Sequence, residues 1–347
     1  MADETILILL LSDSNLPTGS FVASSGLESF LKHGFGFVPS PSPIPLPVAS
    51  GTPSNDSGTI GGVNHSHPIP PTTTSISKAE AITTFIRDSL STYAPSALPF
   101  VSDAHYVVSA LQSSGGGKEA ASRTLELLKE LDALYEAMTL NHVARRASKA
   151  QGVALLSLYS KGFSRPPGLG LHFSPPAANG NANASEGGID DATDADTRMA
   201  TLVDAFKLAV RRGDTDAHGH LPVCWGVLCA ALGLSLARTQ HLHLYLHARS
   251  LLSAAVRLNT IGPYAAQQIL LHVGGALVDA QLGKCARLRT GVLIAEVSNS
   301  STDGGAGTNE KQERGWDETT DGPATTWPLG EILAARHDLQ HSRIFNS

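Results

Sequence analysis

The sequence has few cysteines and no long apolar run, and each shortage excludes a class of protein. Three of the 347 residues are cysteine, and none forms a Cys-x-x-Cys pair. This excludes a disulfide framework and a thiolate-bound zinc or iron–sulfur domain, and it is typical of a reducing compartment. The apolar run Ile6–Leu11 follows an acidic start and is too short for a signal peptide or a membrane span. We therefore expect a cytoplasmic protein that does not enter a membrane.

An excess of basic charge is also absent. The chain carries 31 acidic and 25 basic residues, a formal net charge of −6. Three segments, 37–78, 164–198 and 298–326, are poor in large apolar residues, and the last two carry the negative charge. The rest is near neutral without a basic stripe, which argues against nucleic acid as a partner. Because the three segments cannot bury enough apolar surface to offset chain ordering, we predict that they are disordered insertions.

Outside these insertions, apolar residues recur at helical spacing and β-branched alternation is almost absent. We predict one all-α domain over residues 1–347, a bundle of about eight to ten helices. Pro95 and Pro99 are expected to separate two helices. The expected helical ranges are 4–35 as two short helices, 78–94, 100–111, 119–161, 201–212, 221–232, 236–258, 264–282 and 329–341.

The start of the second short helix has a recognisable capping pattern. Ser24 or Ser25 can act as the N-cap, and Glu28 stands at capping-box distance from Ser25. The sequence therefore predicts that Glu28 stabilises the first turn of this helix.

The motifs of common catalytic sites are missing. The Gly-rich stretch before Lys118 has Gln112 and Glu119 where a phosphate-binding loop needs glycine and a hydroxyl residue. No Gly-x-Ser-x-Gly elbow occurs, and the three cysteines lie in apolar helical contexts typical of buried thiols. We expect neither nucleotide hydrolysis nor nucleophilic catalysis by this chain, and no bound cofactor.

Histidine, which can bind metal ions, is abundant in the sequence, with 14 copies. His243 and His247 share one helix face, and such a pair can chelate nickel or zinc. Two ligands make an incomplete site, so the alternative is a pair of core or interface histidines satisfied by hydrogen bonds. A metal-dependent hydrolase that adds the tail histidines His337 and His341 is the alternative function.

The C-terminal segment 327–347 combines apolar anchors with arginines. Such a combination favours partner docking, so we expect a docking element that lies outside the core. Its candidate partner-binding residues are Arg336, His337, Arg343, Ile344 and Phe345.

Five blocks, in order along the chain, resemble the urease accessory protein F (UreF) family. They are Leu9–Phe21 with Ser24–Glu28; Arg145–Gly152; His220–Val223 with Gly226 and Leu232–Leu234; Arg249–Leu258 with Ile261–Pro263 and Ala266–Gln268; and Arg336–Asp338 with Ser342–Ser347. The long insertions depart from compact bacterial relatives and are similar to those of a fungal or other eukaryotic member.

The resemblance implies an all-α homodimer that acts as a non-catalytic adaptor in urease maturation. Its implied partners are the urease accessory protein D/H, the GTPase UreG and apo-urease. Nickel would be handled by the whole complex, and GTP would be bound by the partner. A plain helical scaffold without a metal role is a further possibility.

The family blocks also supply candidate interface residues: Arg145, Arg146, Gln151, Arg249, Arg257 and Gln267. One of the arginines could act as an arginine finger toward the GTPase. The alternative is that they form structural salt bridges within the bundle, with the stem packed and the head paired.

Overall fold

The computed structural model describes residues 3–13, 16–17, 23–34, 77–164, 187–294, 316–324 and 327–345. Within these ranges the chain forms helices and no strand, which confirms the predicted all-α class. No helix in this part of the chain is long and apolar enough to cross a lipid bilayer.

The helices of the described residues are numbered in chain order. They are α1 Glu4–Leu11, α2 Leu27–Lys32, α3 Lys78–Ser114, α4 Lys118–Met138, α5 His142–Leu158, α6 Gly187–Arg212, α7 Leu221–Ala231, α8 Leu236–Arg257, α9 Pro263–Ile269, α10 Gly275–Cys285, α11 Glu318–Asp321 and α12 Pro328–Ala335. π-Helical turns Tyr159–Phe163 and Leu270–Gly274 follow α5 and α9, and a 3₁₀ turn, His337–Leu339, follows α12.

The central helix α3 runs unbroken through Pro95 and Pro99, so the prediction of two helices is wrong there. A helical proline removes one N–H group and leaves the carbonyl four residues earlier without its partner. For Pro99 that carbonyl belongs to Pro95, and the backbone N–H of Ala324 donates to it at 3.2 Å. A segment distant in sequence thus compensates the loss, which a local pattern cannot reveal.

The opposite difference occurs at the predicted stretch 119–161, which the structure divides into α4 and α5. The break lies at Asn141, whose side-chain oxygen accepts hydrogen bonds from Val143 N at 2.9 Å and Ala144 N at 3.2 Å. An asparagine that satisfies the free N–H groups of a first turn is a strong helix start. The new helix changes direction here and brings its polar face toward the C-terminal segment.

Two apolar clusters form the core, and α3 contributes to both. Its first half, from Ile82 to Leu98, packs with α2, α8, α10 and α12. Its second half, from Phe100 to Leu111, packs with α4, α5, α6 and α7. The α3 backbone therefore fixes how the two halves of the bundle are placed around the site described below.

Parts of two predicted insertions are helical. Helix α6 begins at Gly187, inside the range 164–198, and α11 lies inside 298–326. The latter is held by the hydrogen bond from Arg289 N to Asp321 O at 2.9 Å. Residues 37–76, 165–186, 298–315 and 325–326 of the three ranges lie outside the described residues, so disorder there stays a prediction.

Helices α3 and α7 approach so closely that only glycine fits at their crossing. A methyl group on Gly226 would lie 2.5 Å from the carbonyl oxygen of Val101 and 2.9 Å from the Cβ atom of Ala104. Because these are backbone and short side-chain atoms inside the core, neither can move aside without shifting a helix.

We therefore predict that Gly226→Ala lowers the free energy of unfolding by about 1–3 kcal/mol, the usual cost of overpacking. Gly283→Ala in α10 is the matched control, since nothing lies within 4 Å of its added methyl group. That change should be neutral or stabilising by up to about 1 kcal/mol, because alanine favours helix. Urea unfolding followed by circular dichroism measures both, and equal stabilities would contradict the close crossing.

Candidate functional site

The C-terminal part of the chain lies against α2 and α5, so the two ends of the sequence meet on one side of the molecule. Leu333 of α12 is buried in the second core cluster, and the ring of Trp327 packs on Phe85 with centroids 5.4 Å apart. The side-chain nitrogen of Asn141 donates to the carbonyl oxygen of Glu331 at 3.2 Å. These contacts lead the residues after α12 across the surfaces of α2 and α5.

The carboxylate of Glu28 binds the end of this segment. Its oxygens accept hydrogen bonds from Ile344 N at 2.9 Å and Phe345 N at 3.2 Å, and Lys32 Nζ lies 2.9 Å from Oε1. Burial alone would raise the pKa of Glu28, but these donors together bring it below its ordinary value of 4.5. The predicted capping role differs from the structure: α2 begins at Gly26 without a side-chain cap, and Glu28 binds the C-terminal segment instead.

A second carboxylate, Asp338, joins the same segment to α5. Its two oxygens accept N–H groups of Arg146 at 2.9 and 3.0 Å. Arg343 donates at 2.7 Å, and His142 Nε2 lies 3.2 Å away. The hydrogen bonds from Arg146, above all, hold the pKa of Asp338 well below its usual range. Because the group is solvent-accessible, each such pair contributes about 1 kcal/mol or less to stability.

Around these two carboxylates, apolar side chains point into solvent. The exposed fractions are 81% for Leu140, 79% for Leu339, 61% for Ile344 and 52% for Ile332. Exposed arginines lie among them. We call this surface the C-terminal face, and its members are Leu140, Arg146, Ile332, Arg336, Leu339, Arg343 and Ile344. Apolar anchors rimmed by arginine are typical of protein-binding surfaces.

The structure divides the predicted docking residues into two groups. Arg336, Arg343 and Ile344 are exposed on the C-terminal face. His337 and Phe345 are buried, and Phe345, which is only 3% exposed, belongs to the second core cluster. The expectation that the whole segment lies outside the core therefore differs from the structure, because Glu28 turns the Phe345 side of the backbone inward. His337 Nε2 contacts the Phe345 carbonyl oxygen at 3.1 Å.

The predicted interface arginines mostly contact their own chain. Arg145 donates to the carbonyl oxygen of Thr139 and lies 3.5 Å from Glu136. Arg249 donates to the carbonyl oxygen of Ser12. Together with the Arg146–Asp338 pair, these contacts favour a structural role for Arg145, Arg146 and Arg249 over that of an arginine finger.

The other predicted interface residues lie elsewhere. Gln151, Arg249 and Arg257 line a cleft of about 330 Å³ between α3, α5, α8 and α12. Gln267 is exposed on α9, so it does not share this cleft's lining. The structure thus brings three of the six predicted interface residues together and leaves Gln267 apart.

The histidine pair of α8 also lines this cleft, and both rings already have partners. Nε2 of His243 lies 3.0 Å from the hydroxyl oxygen of Tyr93, and Nε2 of His247 lies 2.9 Å from that of Ser89. The Tyr93 ring stacks on both imidazoles, with centroids 5.4 and 4.1 Å away. Burial lowers the pKa of His243 to about 3 and that of His247 to about 4, so both are neutral at physiological pH.

A metal centre finds no support in this arrangement. In the part of the chain that the structure describes, no three histidine, cysteine, aspartate or glutamate side chains are placed to hold an ion. His337 contacts the C-terminal segment, whereas His243 and His247 contact α3. The pair therefore behaves as the hydrogen-bonded histidines of the alternative interpretation.

Two further buried carboxylates accept backbone N–H groups of irregular segments, and the sequence predicts neither interaction. Asp132 accepts the N–H groups of His218 and Gly219 at 2.6 Å and of His220 at 2.9 Å. Asp103 accepts the backbone N–H of Thr290 at 2.9 Å. The only available signal was an acidic residue at an otherwise apolar helix position, which does not reveal its distant partner.

The fold and the C-terminal face are typical of a helical protein-binding domain, and comparison with known proteins identifies its family. The UreF family model matches residues 76–274. Urease accessory protein 6 of Cryptococcus neoformans var. grubii is 41% identical over 353 residues, covering all of this chain and 98% of that protein. A Schizosaccharomyces pombe protein described as an uncharacterized UreF-like urease accessory protein is 24% identical over 344 residues, covering 99% of this chain and 97% of that protein. Urease accessory protein F of Arabidopsis thaliana is 27% identical over 274 residues, or 79% and 76% of the two chains.

The chain therefore belongs to the UreF family. This confirms the resemblance drawn from the five sequence blocks, and the two full-length relatives are fungal, as the long insertions indicated.

The histidine pair of α8, with His243 buried and His247 partly buried, predicts a pH dependence of stability. A histidine of ordinary pKa, about 6.5, takes up a proton when the chain unfolds at lower pH. Since the unfolded state binds more protons, the free energy of unfolding should fall as the pH drops from 6.5 toward 4. The expected slope is up to about 1.4 kcal/mol per pH unit for each histidine. His247→Gln should therefore show a shallower slope than the wild type.

His241→Gln is the control, because His241 lies on the same helix with its side chain 40% exposed. Urea unfolding at several pH values between 7 and 4.5 gives the slopes. Equal slopes for the wild type and His247→Gln would contradict a neutral His247 in the folded protein.

Proposed function

We propose that the protein is a non-catalytic adaptor in urease maturation, needed for nickel to enter apo-urease. Membership of the UreF family and the C-terminal face together carry this proposal. A helical domain that presents apolar anchors and arginines, with no assembled metal ligands in its described part, is suited to bind proteins.

Three partners follow from the proposed role: the urease accessory protein D/H, the GTPase UreG and apo-urease. We assign the C-terminal face to the D/H-type protein. Its apolar residues can enter pockets of the partner, and the guanidinium groups of Arg336 and Arg343 can make charge-assisted hydrogen bonds at the rim.

The adaptor would act by coupling binding free energies. If it binds one nucleotide state of UreG better than the other, it shifts that partner's equilibrium without any chemistry of its own. The loop Gly115–Gly117 supports a division of labour in which only UreG binds GTP. It connects helices α3 and α4, whereas a phosphate-binding loop follows a strand. Nickel is the cargo of the assembly and not a resident cofactor of this chain.

We further propose that the protein works in the cytoplasm as a homodimer, without nucleic acid or membrane partners. Its near-neutral composition outside the acidic segments supports the absence of nucleic-acid partners, and the homodimer follows from the family resemblance. The alternative of a metal-dependent hydrolase would need the helix and tail histidines in one site. Their separate partners favour the adaptor.

The proposal predicts which surface residues bind the D/H-type protein. Leu339→Ala with Ile344→Ala removes two exposed apolar anchors and should weaken binding by at least about tenfold in total, since fully burying one such side chain contributes about 1.5–3 kcal/mol. Helical circular dichroism should not change, because both side chains face solvent. Isothermal titration calorimetry with the purified D/H-type protein measures the effect.

Leu208→Ala on α6 is the matched control, an exposed leucine away from the C-terminal face. It should bind like the wild type. Full affinity of the double variant would place the docking surface elsewhere, and no binding by the wild type would contradict the proposed partner.

A further inference from the structure

We propose that Glu28 is the positioning residue of the C-terminal face. Although it is buried and cannot touch a partner, its carboxylate fixes the conformation in which Arg343 and Ile344 are presented. This proposal rests on the proposed function for one of its two measurements, the affinity for the D/H-type protein. The other measurement, whether Glu28 fixes the C-terminal segment, does not depend on that function.

The end of the C-terminal segment has no backbone-to-backbone support among the described residues. After the 3₁₀ turn, the described residues 341–345 form neither helix nor strand. In this stretch the structure shows no backbone-to-backbone hydrogen bond that would hold it. An irregular segment without such bonds exchanges freely with water unless a side chain supplies the missing acceptors.

The contact between the Glu28 carboxylate and the C-terminal segment has a defined geometry. The side chain of Glu28 has no exposed surface, and it accepts two successive N–H groups, those of Ile344 and Phe345. Two neighbouring peptide groups that point at one carboxylate fix both the position and the rotation of the backbone between them. As a result Phe345 enters the core, whereas Ile344 stands 61% exposed beside it.

Neighbouring side chains of α2 support the same conformation. Lys32 pairs with Glu28 and contacts the carbonyl oxygen of Ser342. One turn away, the side-chain nitrogen of Gln340 donates to the hydroxyl oxygen of Ser29 at 2.6 Å. The short helix α2 therefore supports the segment, so a part of the chain near its N-terminus positions the C-terminal face.

This arrangement would reduce the entropic cost of binding. A segment already held in its bound conformation loses less freedom when the partner docks than a free tail does. A buried residue on α2 would thus control affinity through the shape of a surface it never joins.

The test uses Glu28→Gln in the full-length chain. The side-chain amide keeps the shape, but only one of its two polar atoms can accept an N–H group. Hydrogen–deuterium exchange should show lost protection at Ile344 and Phe345, while protection in α3 and α8 is unchanged. Affinity for the D/H-type protein should fall by about tenfold or more, the loss expected for a hydrogen bond to a charged acceptor.

Glu4→Gln is the matched control, because its carboxylate also accepts a backbone N–H, that of Ser235 at 3.1 Å, outside the C-terminal face. It should leave both readouts unchanged. A double-mutant cycle adds a readout that general destabilisation would not move: the binding penalty of Ile344→Ala should shrink in the Glu28→Gln background.

Retained protection at Ile344 and Phe345 in Glu28→Gln would overturn the proposal, and so would lost protection with full affinity. If Glu28→Gln does not fold, Lys32→Ala provides the test. This variant removes a partly exposed cation beside Glu28 and should cause smaller losses of both exchange protection and affinity. Unchanged protection and affinity in Lys32→Ala would overturn the proposal. If the wild type fails to bind the D/H-type protein, the proposed function fails, while the exchange data still report whether Glu28 holds the segment.

Discussion

Buried carboxylates that accept backbone N–H groups are the interaction on which this helical bundle depends. Helices satisfy their own backbone, but the segments between them do not, and a buried N–H without an acceptor is costly. Here Asp132 binds the approach to α7, Asp103 binds Thr290 after α10, and Glu28 binds the C-terminal residues. All three side chains lie in the interior, so each irregular segment is tied to a helix of the core.

These ties explain how a bundle with long insertions keeps a defined surface. The predicted insertions lie between α2 and α3, from the end of α5 into α6, and after α10, and the described residues 324 and 344–345 that follow α10 bind fixed acceptors on α3 and α2. Ala324, for example, donates to the Pro95 carbonyl that Pro99 leaves free within α3. The last segment returns to α2 and α5, where it completes the C-terminal face. The same contacts that close the fold thus also build the surface assigned to partner binding.

The helical pattern predicts much of the fold but few of the hydrogen bonds that join irregular segments to distant helices. Helices α7 and α8 begin at the predicted residues Leu221 and Leu236, because their apolar periodicity and their boundaries are both local. The continuity of α3 through Pro95 and Pro99 could not be predicted, since it depends on Ala324. The arginines and Ile344 of the C-terminal segment were recognised from composition. The burial of Phe345 was not, because it follows from a hydrogen bond to Glu28, 317 residues away in sequence.

The family membership supports a role in urease maturation, and the proposed form of that role is to enable nickel to enter urease. The most direct measurement is the nickel content of urease purified from cells that lack the chain, compared with cells in which the wild-type chain is restored. The account predicts urease protein at normal abundance but nearly free of nickel and inactive in the deletion, with both recovered on restoration. Urease that carries its normal nickel content in the absence of the chain would contradict it.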